Sequence, residues 1–179
     1  MVEPEVDLEA ALWTIPLARL KDSEHRTEPF RVPLPPRAVE IVKEMREVRT
    51  SRFVFPGQKP DRPLTDMALL SVVHRMNAAD TPEAVEGEPP PRPHWHDPKD
   101  GRAIVPHGFR ATFRVWAEVE TPAAHATIEE AMGHAVGTDV ERAYRRTDVL
   151  EKRRELMRAW ASHCEPPAPN VVKLRRGAA

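Results

Sequence analysis

Proline constrains this chain more than any other residue type, because 20 of its 179 residues are proline, about twice ordinary usage. Proline has no backbone N–H and a fixed φ, so it is excluded from helix interiors and central strands. Regular structure must therefore lie between the prolines. The densest group falls in residues 79–103, where six prolines and a local excess of acidic residues predict a solvated loop, disordered in part.

Two β-strands and one helix are predicted in the first part of the chain. Residues 12–16 and 30–34 are rich in β-forming side chains and flank a polar stretch at residues 19–29, as in a hairpin with a long loop. Pro35 and Pro36 then open a helix to about Arg49, because the apolar residues in this stretch recur at helical spacing.

The remaining apolar residues recur at helical spacing as well. Thr65 is a good N-cap, and the helix after it has an apolar face made of Leu69, Val72, Val73 and Met76. Further helices are predicted over residues 108–119, 127–135 and 148–163, and a short turn or helix over residues 140–146. The inward positions are Phe109, Phe113, Trp116, Leu150, Met157 and Trp160. The expected fold is mainly α-helical with a small antiparallel β-hairpin, in the α+β class.

Composition excludes several classes of protein. A single cysteine rules out an internal disulfide framework and a cysteine-rich zinc site. The acidic first residues are unlike a signal peptide, and no apolar run approaches the length of a membrane span, so we expect a cytoplasmic protein. The net charge of -1 rules out a polycation that coats nucleic acid by charge alone.

Charge is nevertheless unevenly distributed along the chain. Residues 102–114 hold three arginines and no acidic residue, and residues 142–158 hold seven basic residues against three acidic ones. A basic second half of this kind can form a phosphate-binding face. The alternative is a solvated helix surface with ion pairs between successive turns, and charge alone favours that alternative.

A more specific pattern is Pro106-His107-Gly108-Phe109-Arg110-Ala111-Thr112, followed by Gly133-His134-Ala135 and then by Tyr144, the one tyrosine of the chain. The pattern resembles the catalytic domain of tyrosine recombinases of the phage integrase family, prophage-type integrases above all. The other matching segments are Trp13-Thr14-Ile15-Pro16, Arg19-Leu20-Lys21, Phe30-Arg31-Val32-Pro33-Leu34, Val54-Phe55-Pro56-Gly57, Arg62-Pro63-Leu64, Ala143-Tyr144-Arg145-Arg146 and Leu150–Trp160. The resemblance covers about residues 5–164.

This resemblance implies a reaction and a set of catalytic residues. Tyr144 matches the nucleophile that forms a covalent 3′-phosphotyrosyl link to DNA, which a free 5′-hydroxyl later reverses. Arg110 matches the second arginine of the phosphate clamp, and His107 matches the histidine that assists proton transfer at the tyrosine. His134 matches the histidine that bonds a phosphate oxygen, and Lys21 matches the lysine that protonates the 5′-oxygen leaving group. No metal or cofactor is required.

The resemblance also implies double-stranded attachment-site DNA as the partner. Arg114, Arg145 and Arg146 are expected to contact that DNA, and the active assembly of the family is a homo-tetramer on two duplexes. Arginines suit the reaction because its transition state spreads negative charge over the non-bridging phosphate oxygens. His107 and Arg110 stand three residues apart at a predicted helix start, where the helix dipole adds to this effect.

Taken singly, each catalytic candidate has an ordinary structural explanation. A lone tyrosine such as Tyr144 is most often a half-buried packing residue. His107 and His134 could complement helix ends, Arg110 could form a surface ion pair, and Lys21 could be a solvated hairpin lysine. Their joint order along the chain favours the inherited site.

One catalytic residue of the family has no match here. The resemblance places a first arginine on a helix upstream of Trp13, and no residue before Trp13 matches it. Loss of such a donor costs on the order of 10²–10³ in rate. We therefore expect a truncated and impaired integrase: residues 1–164 a partial catalytic domain with a proline-rich acidic insertion at about 79–103, and residues 165–179 a basic flexible tail.

Other hypotheses stay open at this point. The chain could be a DNA-binding or interaction module that keeps the fold without catalysis, or a nicking enzyme like the type IB topoisomerases, which share the tyrosine chemistry. His94, His96 and Asp97 could ligate a metal, although no third histidine has supporting spacing. Residues 89–93 could bind a partner as a polyproline II helix.

Overall fold

A computed structural model describes residues 1–21, 26, 28–89, 91–134, 136–137 and 148–165. Three antiparallel strands form a sheet in the order β1 (Val6–Asp7), β2 (Leu12–Ile15) and β3 (Phe30–Pro33). Ile15 pairs with Phe30 at one end of the β2–β3 ladder, and Leu12 pairs with Pro33 at the other. The predicted hairpin is confirmed, and the short strand β1 adds a third member to its sheet.

Helices make up about half of the rest of the described chain. They are α1 (Pro36–Val48), α2 (Met67–Asp80), α3 (Pro106–Glu120), α4 (His125–Ala131) and α5 (Asp148–Cys164), and Glu3–Glu5 and Leu17–Arg19 form single 3₁₀ turns. The expected class, mainly α with a small antiparallel sheet, is confirmed. No helix in the described part of the chain is long and apolar enough to cross a bilayer.

The sheet and α1 enclose the first of the two hydrophobic clusters in the described part of the chain. Its buried members are Val6, Leu34, Val42 and Val54. Val39 and Met45 of α1 pack against these residues, as their helical spacing predicts. The cluster holds the β2–β3 hairpin against α1 and so fixes the base of the loop that carries Lys21.

The second cluster joins α3, α4 and α5. Its buried members are Phe113, Ala117, Ile128 and Leu156, and Trp116, Met157 and Trp160 pack against them. The predicted inward positions of Phe113, Trp116, Met157 and Trp160 are therefore confirmed. Phe109, also predicted to face inward, is 53% exposed, because the cluster covers α3 from Phe113 onward and leaves its first turns uncovered.

Helix α2 corrects two predictions. Its N-cap is Asp66, whose carboxylate accepts a hydrogen bond from the N–H of Met67, and not Thr65. Of the predicted apolar face, Val73 is buried, but Leu69, Val72 and Met76 are exposed. The helix buries the narrow stripe of Val73 and Asn77, because it contacts the molecule along one edge rather than lying in the core.

The proline-rich segment 79–103 is exposed at most positions, as predicted. It is nevertheless attached to the helical part of the protein. The indole N–H of Trp95 donates to Asp80 at 2.9 Å, and His96 and Ala103 form an isolated antiparallel bridge. Long acidic loops of this kind need such contacts to hold a defined path, because they bury little apolar surface.

Two further predictions concern the chain after α3. The helix predicted over residues 127–135 spans His125–Ala131 instead, because Gly133 adopts φ +81° and ends it. The turn or helix predicted over residues 140–146, and the tail after Glu165, lie outside the described residues.

Candidate active site

The first site segment forms the start of α3. Pro106 occupies an initial helical position, where its missing N–H costs no hydrogen bond, and Val105 precedes it in extended conformation. His107 and Arg110 therefore lie on the first turns, near the positive end of the helix dipole. Both residues are exposed, so an anion approaching this helix end can reach them.

The second site segment is a helix end closed by glycine. The N–H of Gly133 donates to the carbonyl of Glu130 at 3.0 Å, and the N–H of His134 donates to the carbonyl of Glu129 at 2.9 Å. These two bonds, with Gly133 at φ +81°, form a Schellman motif. The motif fixes the backbone of His134 directly after α4.

Arg110 and His134 meet although 24 residues separate them: Nη2 of Arg110 lies 2.5 Å from Nε2 of His134. On the other side of the ring, Nδ1 of His134 lies 2.5 Å from Oε2 of Glu129. A guanidinium can only donate hydrogen bonds, and an ionised carboxylate can only accept them. His134 therefore accepts at Nε2 and donates from Nδ1, which is the pattern of a neutral imidazole protonated at Nδ1.

Arg114 extends this chain of contacts on the far side of Glu129. Its Nη2 lies 3.2 Å from Oε1 of Glu129, and its Nε lies 3.2 Å from Oε1 of Glu118. The hydrogen bond from His134, and then the positive charge of Arg114, hold the pKa of Glu129 below its ordinary value against the opposing effect of burial. Arg114, predicted to contact DNA, is thus ion-paired in this structure.

The structure brings Arg110 and His134 together, but it does not unite every predicted residue. Lys21 is exposed just after the 3₁₀ turn Leu17–Arg19. Within the described part of the chain, neither Lys21 nor His107 is hydrogen-bonded to Arg110 or His134. The predicted site residues Tyr144, Arg145 and Arg146 lie outside the described residues.

In the described part of the chain, one group of side chains is arranged closely enough to ligate a metal ion. Ligand atoms of Glu118, His125 and Glu129 all lie within 4.8 Å of one another. However, Arg114 pairs with both carboxylates, so its guanidinium already neutralises them. The alternative set at His94, His96 and Asp97 is not grouped in this way, and Nδ1 of His96 lies 2.7 Å from the carbonyl oxygen of Pro93.

Several residues near the site were not predicted from the sequence. Glu129 is one, and a glutamate five residues before a Gly-His helix end is the signal that could have found it. The other two are Arg26 and Arg153, whose guanidinium carbons lie 5.5 Å and 5.3 Å from the centre of the Phe30 ring. Arg26 also donates to the carbonyl of Gly133. The hairpin, the Schellman turn and α5 therefore meet at one point.

The chain is similar to integrases over most of its length. It is 30% identical over 159 residues to the prophage integrase IntA of Escherichia coli K12, which is 88% of this chain and 32% of the relative. It is 28% identical over 165 residues to the prophage integrase IntS of the same strain, which is 90% of this chain and 36% of the relative. For the integrase of Shigella phage Sf6 the identity is 28% over 160 residues, 87% of this chain and 34% of the relative.

These similarities indicate the class of protein that the chain resembles. The fold is mainly α with a small antiparallel sheet, as the resemblance implies, and the named relatives are integrases. The chain is integrase-like, which confirms the resemblance stated from its motifs, and it spans about a third of the length of these relatives. No family model and no solved structure matches it.

Proposed function

We propose that this chain supplies the tyrosine-bearing part of a site-specific DNA recombinase, which integrates DNA by transesterification through a 3′-phosphotyrosine intermediate. The observation that carries the proposal is the contact between Arg110 and His134, at 2.5 Å, because the integrase pattern assigns both residues to the scissile phosphate. Similarity to prophage and phage integrases supports the same class of reaction.

Tyr144 is the proposed nucleophile. Its phenolic oxygen forms a bond to phosphorus while the bond from phosphorus to the 5′-oxygen breaks, so the DNA strand is left with a free 5′-hydroxyl. His107 assists removal of the tyrosine proton, and Lys21 gives a proton to the departing 5′-oxygen. The tyrosyl phosphodiester keeps the energy of the broken bond, so the 5′-hydroxyl of a partner strand can reverse the step.

Arg110 and His134 act on the charge of the phosphate. The guanidinium offers two parallel donors to the non-bridging oxygens, where negative charge accumulates in the transition state. The start of α3 adds the field of its helix dipole at the same point. Since both side chains are exposed, a phosphate can enter and replace their direct contact.

We further propose that residues 1–179, assayed by themselves, cleave DNA slowly. The family pattern requires a first arginine upstream of Trp13, and these residues hold no match to it. One missing donor to the transition state costs on the order of 10²–10³ in rate. The expected covalent adduct therefore accumulates over a long incubation rather than in a rapid burst.

The test is to trap the covalent intermediate. The protein is incubated with labelled duplexes of randomised sequence that carry nicks, so that the short strand released by cleavage diffuses away and cannot reverse the reaction. We expect an adduct that resists SDS, disappears in Tyr144→Phe and is weakened in Arg110→Ala. Arg37→Ala, which removes an exposed ion-paired arginine on α1, controls for the loss of one positive charge.

Other outcomes distinguish the competing hypotheses. An adduct that persists in Tyr144→Phe contradicts the proposed nucleophile. Binding of the duplexes without any adduct, even after long incubation, supports a DNA-binding module that does not catalyse. Relaxation of supercoiled plasmid without strand exchange supports an enzyme of the type IB topoisomerase kind.

A further inference from the structure

Glu129 contacts the proposed catalytic pair through His134. We propose that Glu129 is a positioning residue for His134: it holds the imidazole by Nδ1 and directs Nε2 toward the place where Arg110 meets the phosphate. As a consequence, phosphate binding there adds one proton to Nε2. This inference rests on the proposed function, because the phosphate is that of the cleaved DNA.

Glu129 holds His134 at two points. Its backbone carbonyl accepts from the N–H of His134 at 2.9 Å within the Schellman motif, and its carboxylate lies 2.5 Å from Nδ1. The side chain of Glu129 is 15% exposed, whereas that of His134 is 46% exposed. The carboxylate is therefore the more deeply buried of the two groups, and the imidazole remains accessible to a ligand.

The charged groups around His134 come from several elements. Arg110 on α3 faces Nε2, and Arg114 on α3 pairs with the far oxygen of Glu129. Arg26 from the hairpin donates to the carbonyl of Gly133, next to the histidine. Side-chain atoms of Glu118 and His125 lie within 4.8 Å of those of Glu129. Of these groups, the Glu129 carboxylate is the one that accepts from the imidazole.

The proton uptake follows from the hydrogen-bond pattern. A non-bridging phosphate oxygen offers lone pairs and no hydrogen. Nε2 also presents a lone pair in this structure, where Arg110 donates to it. When Arg110 turns its donor to the phosphate and Nδ1 keeps its hydrogen bond to Glu129, Nε2 can bond the same phosphate only after taking one proton from solvent. The Glu129 carboxylate stabilises the imidazolium that results, as an orienting carboxylate does for a catalytic histidine.

A purely structural role for Glu129 makes a different prediction. If its purpose were the ion pair with Arg114, removal of Glu118, the other carboxylate on Arg114, would have a similar effect. Glu118→Gln is therefore the matched control, because it removes the same charge from the same arginine without touching His134. Unfolding curves of all variants establish which ones are folded.

The first experiment determines the tautomer of the His134 imidazole in the full chain, in the absence of DNA. Long-range ¹H–¹⁵N correlation spectra at mildly alkaline pH identify which ring nitrogen carries the proton. We expect the Nδ1–H form for His134 in the wild type and in Glu118→Gln, and a mixture with the Nε2–H form in Glu129→Ala. Retention of a pure Nδ1–H form in Glu129→Ala would overturn the positioning role.

The second experiment counts protons on oxyanion binding. Inorganic sulfate is the probe, since it mimics a phosphate and does not titrate near neutral pH. Calorimetry in two buffers of different ionisation enthalpy gives the number of protons taken up, about one per sulfate in the wild type. We expect a much smaller number in Glu129→Gln and the wild-type number in Glu118→Gln. Binding with no uptake in the wild type would refute the proton step.

The third experiment separates this inference from the proposed function. In the adduct assay at saturating DNA, Glu129→Gln should be slower by about 10–100-fold, by analogy with the loss of a carboxylate that orients a metal-ligating histidine, with DNA affinity unchanged. Wild-type rates in Glu129→Gln contradict the positioning role while leaving the recombinase function intact. If the wild type forms no adduct but the tautomer and proton results hold, the recombinase function fails and the positioning of His134 stands for another oxyanion.

Discussion

Asn77 and Trp95 are joined by two hydrogen bonds. Oδ1 of Asn77 accepts from the backbone N–H of Trp95 at 2.7 Å, and Nδ2 of Asn77 donates to the Trp95 carbonyl at 3.2 Å. The asparagine side chain thus pairs with Trp95 as a neighbouring strand would. Because Asn77 is buried on α2, the pair fixes the middle of the proline-rich segment against the helical part of the protein.

Asn77→Ala should destabilise the protein by about 1–3 kcal/mol, because it leaves the backbone N–H of Trp95 without its partner. The Trp95 carbonyl still accepts from the N–H of Ile104 at 3.1 Å. The substitution should also speed tryptic cleavage after Lys99, since the segment would leave α2 more often. Urea unfolding and timed proteolysis measure the two effects. His74→Ala, at an exposed position of the same helix, is the control; equal behaviour of the two variants would contradict this role for Asn77.

The sequence was a good guide where local rules decide the structure. Prolines and β-forming residues located the hairpin within a residue or two, and the Pro35-Pro36 pair located the start of α1. It was a poor guide for α2, where Leu69, Val72 and Met76 have helical spacing but are exposed in the described chain. Periodicity identifies the apolar face of a helix, whereas tertiary packing decides whether that face is covered.

The candidate site, too, could be predicted from the sequence only in part. His107 and Arg110 were predictable as residues of a helix start. The family pattern assigns Arg110 and His134 to one phosphate, but it does not predict their direct contact, and no spacing rule joins residues of two separate segments. Glu129 and Arg153 were missed, because their roles depend on how α4 and α5 meet the hairpin, which only the folded structure shows.

Glycine at position 133 should be required for its backbone conformation. Gly133 has φ +81°, where an L-residue costs about 1–2 kcal/mol, so Gly133→Ala should lower the free energy of unfolding by about that amount. A Cβ there would lie 3.5 Å from the Phe30 ring, an ordinary contact, so the cost comes from the backbone. Thermal unfolding measures it.

Gly108→Ala is the matched control for this substitution. Gly108 lies inside α3 and a Cβ at this position would meet nothing within 4 Å. Alanine stabilises a helix by up to about 1 kcal/mol relative to glycine, so the same replacement should raise stability here. If both variants shift stability in the same direction, the conformational argument for Gly133 is wrong.

Ionisation of the Glu5 carboxyl should make the free energy of unfolding depend on pH. Burial opposes its ionisation, but hydrogen bonds from Arg19 and Trp13 outweigh this and lower the pKa of Glu5. A carboxyl whose folded pKa is depressed contributes stability above its unfolded pKa of about 4.3, and loses it as pH falls through the folded pKa. Glu5→Gln should therefore cost about 1–3 kcal/mol at neutral pH and progressively less in acid.

Urea unfolding of the wild type and Glu5→Gln across a pH series measures this difference. Glu9→Gln, at an exposed position nearby, controls for the change in net charge. A wild-type advantage that stays constant down to strongly acidic pH would show that the Glu5 carboxylate does not act through its ionised form.

Arg153 should be replaceable by an apolar side chain of similar length. It is 7% exposed, burial lowers its pKa, and among the described residues its Nε has no hydrogen-bond partner. A buried charge of this kind costs desolvation energy that its contacts offset only in part. Arg153→Met should therefore be as stable as the wild type or more stable, by up to about 1–4 kcal/mol.

Arg153→Ala separates packing from charge at the same position. It removes the charge too but leaves a cavity beside Phe30, so it should destabilise by about 2–4 kcal/mol. Urea unfolding of the two variants gives the comparison. If Arg153→Met is as unstable as Arg153→Ala, the charge itself stabilises the fold, and its interaction with the ring of Phe30 and the negative charge of Glu130 must outweigh the cost of burial.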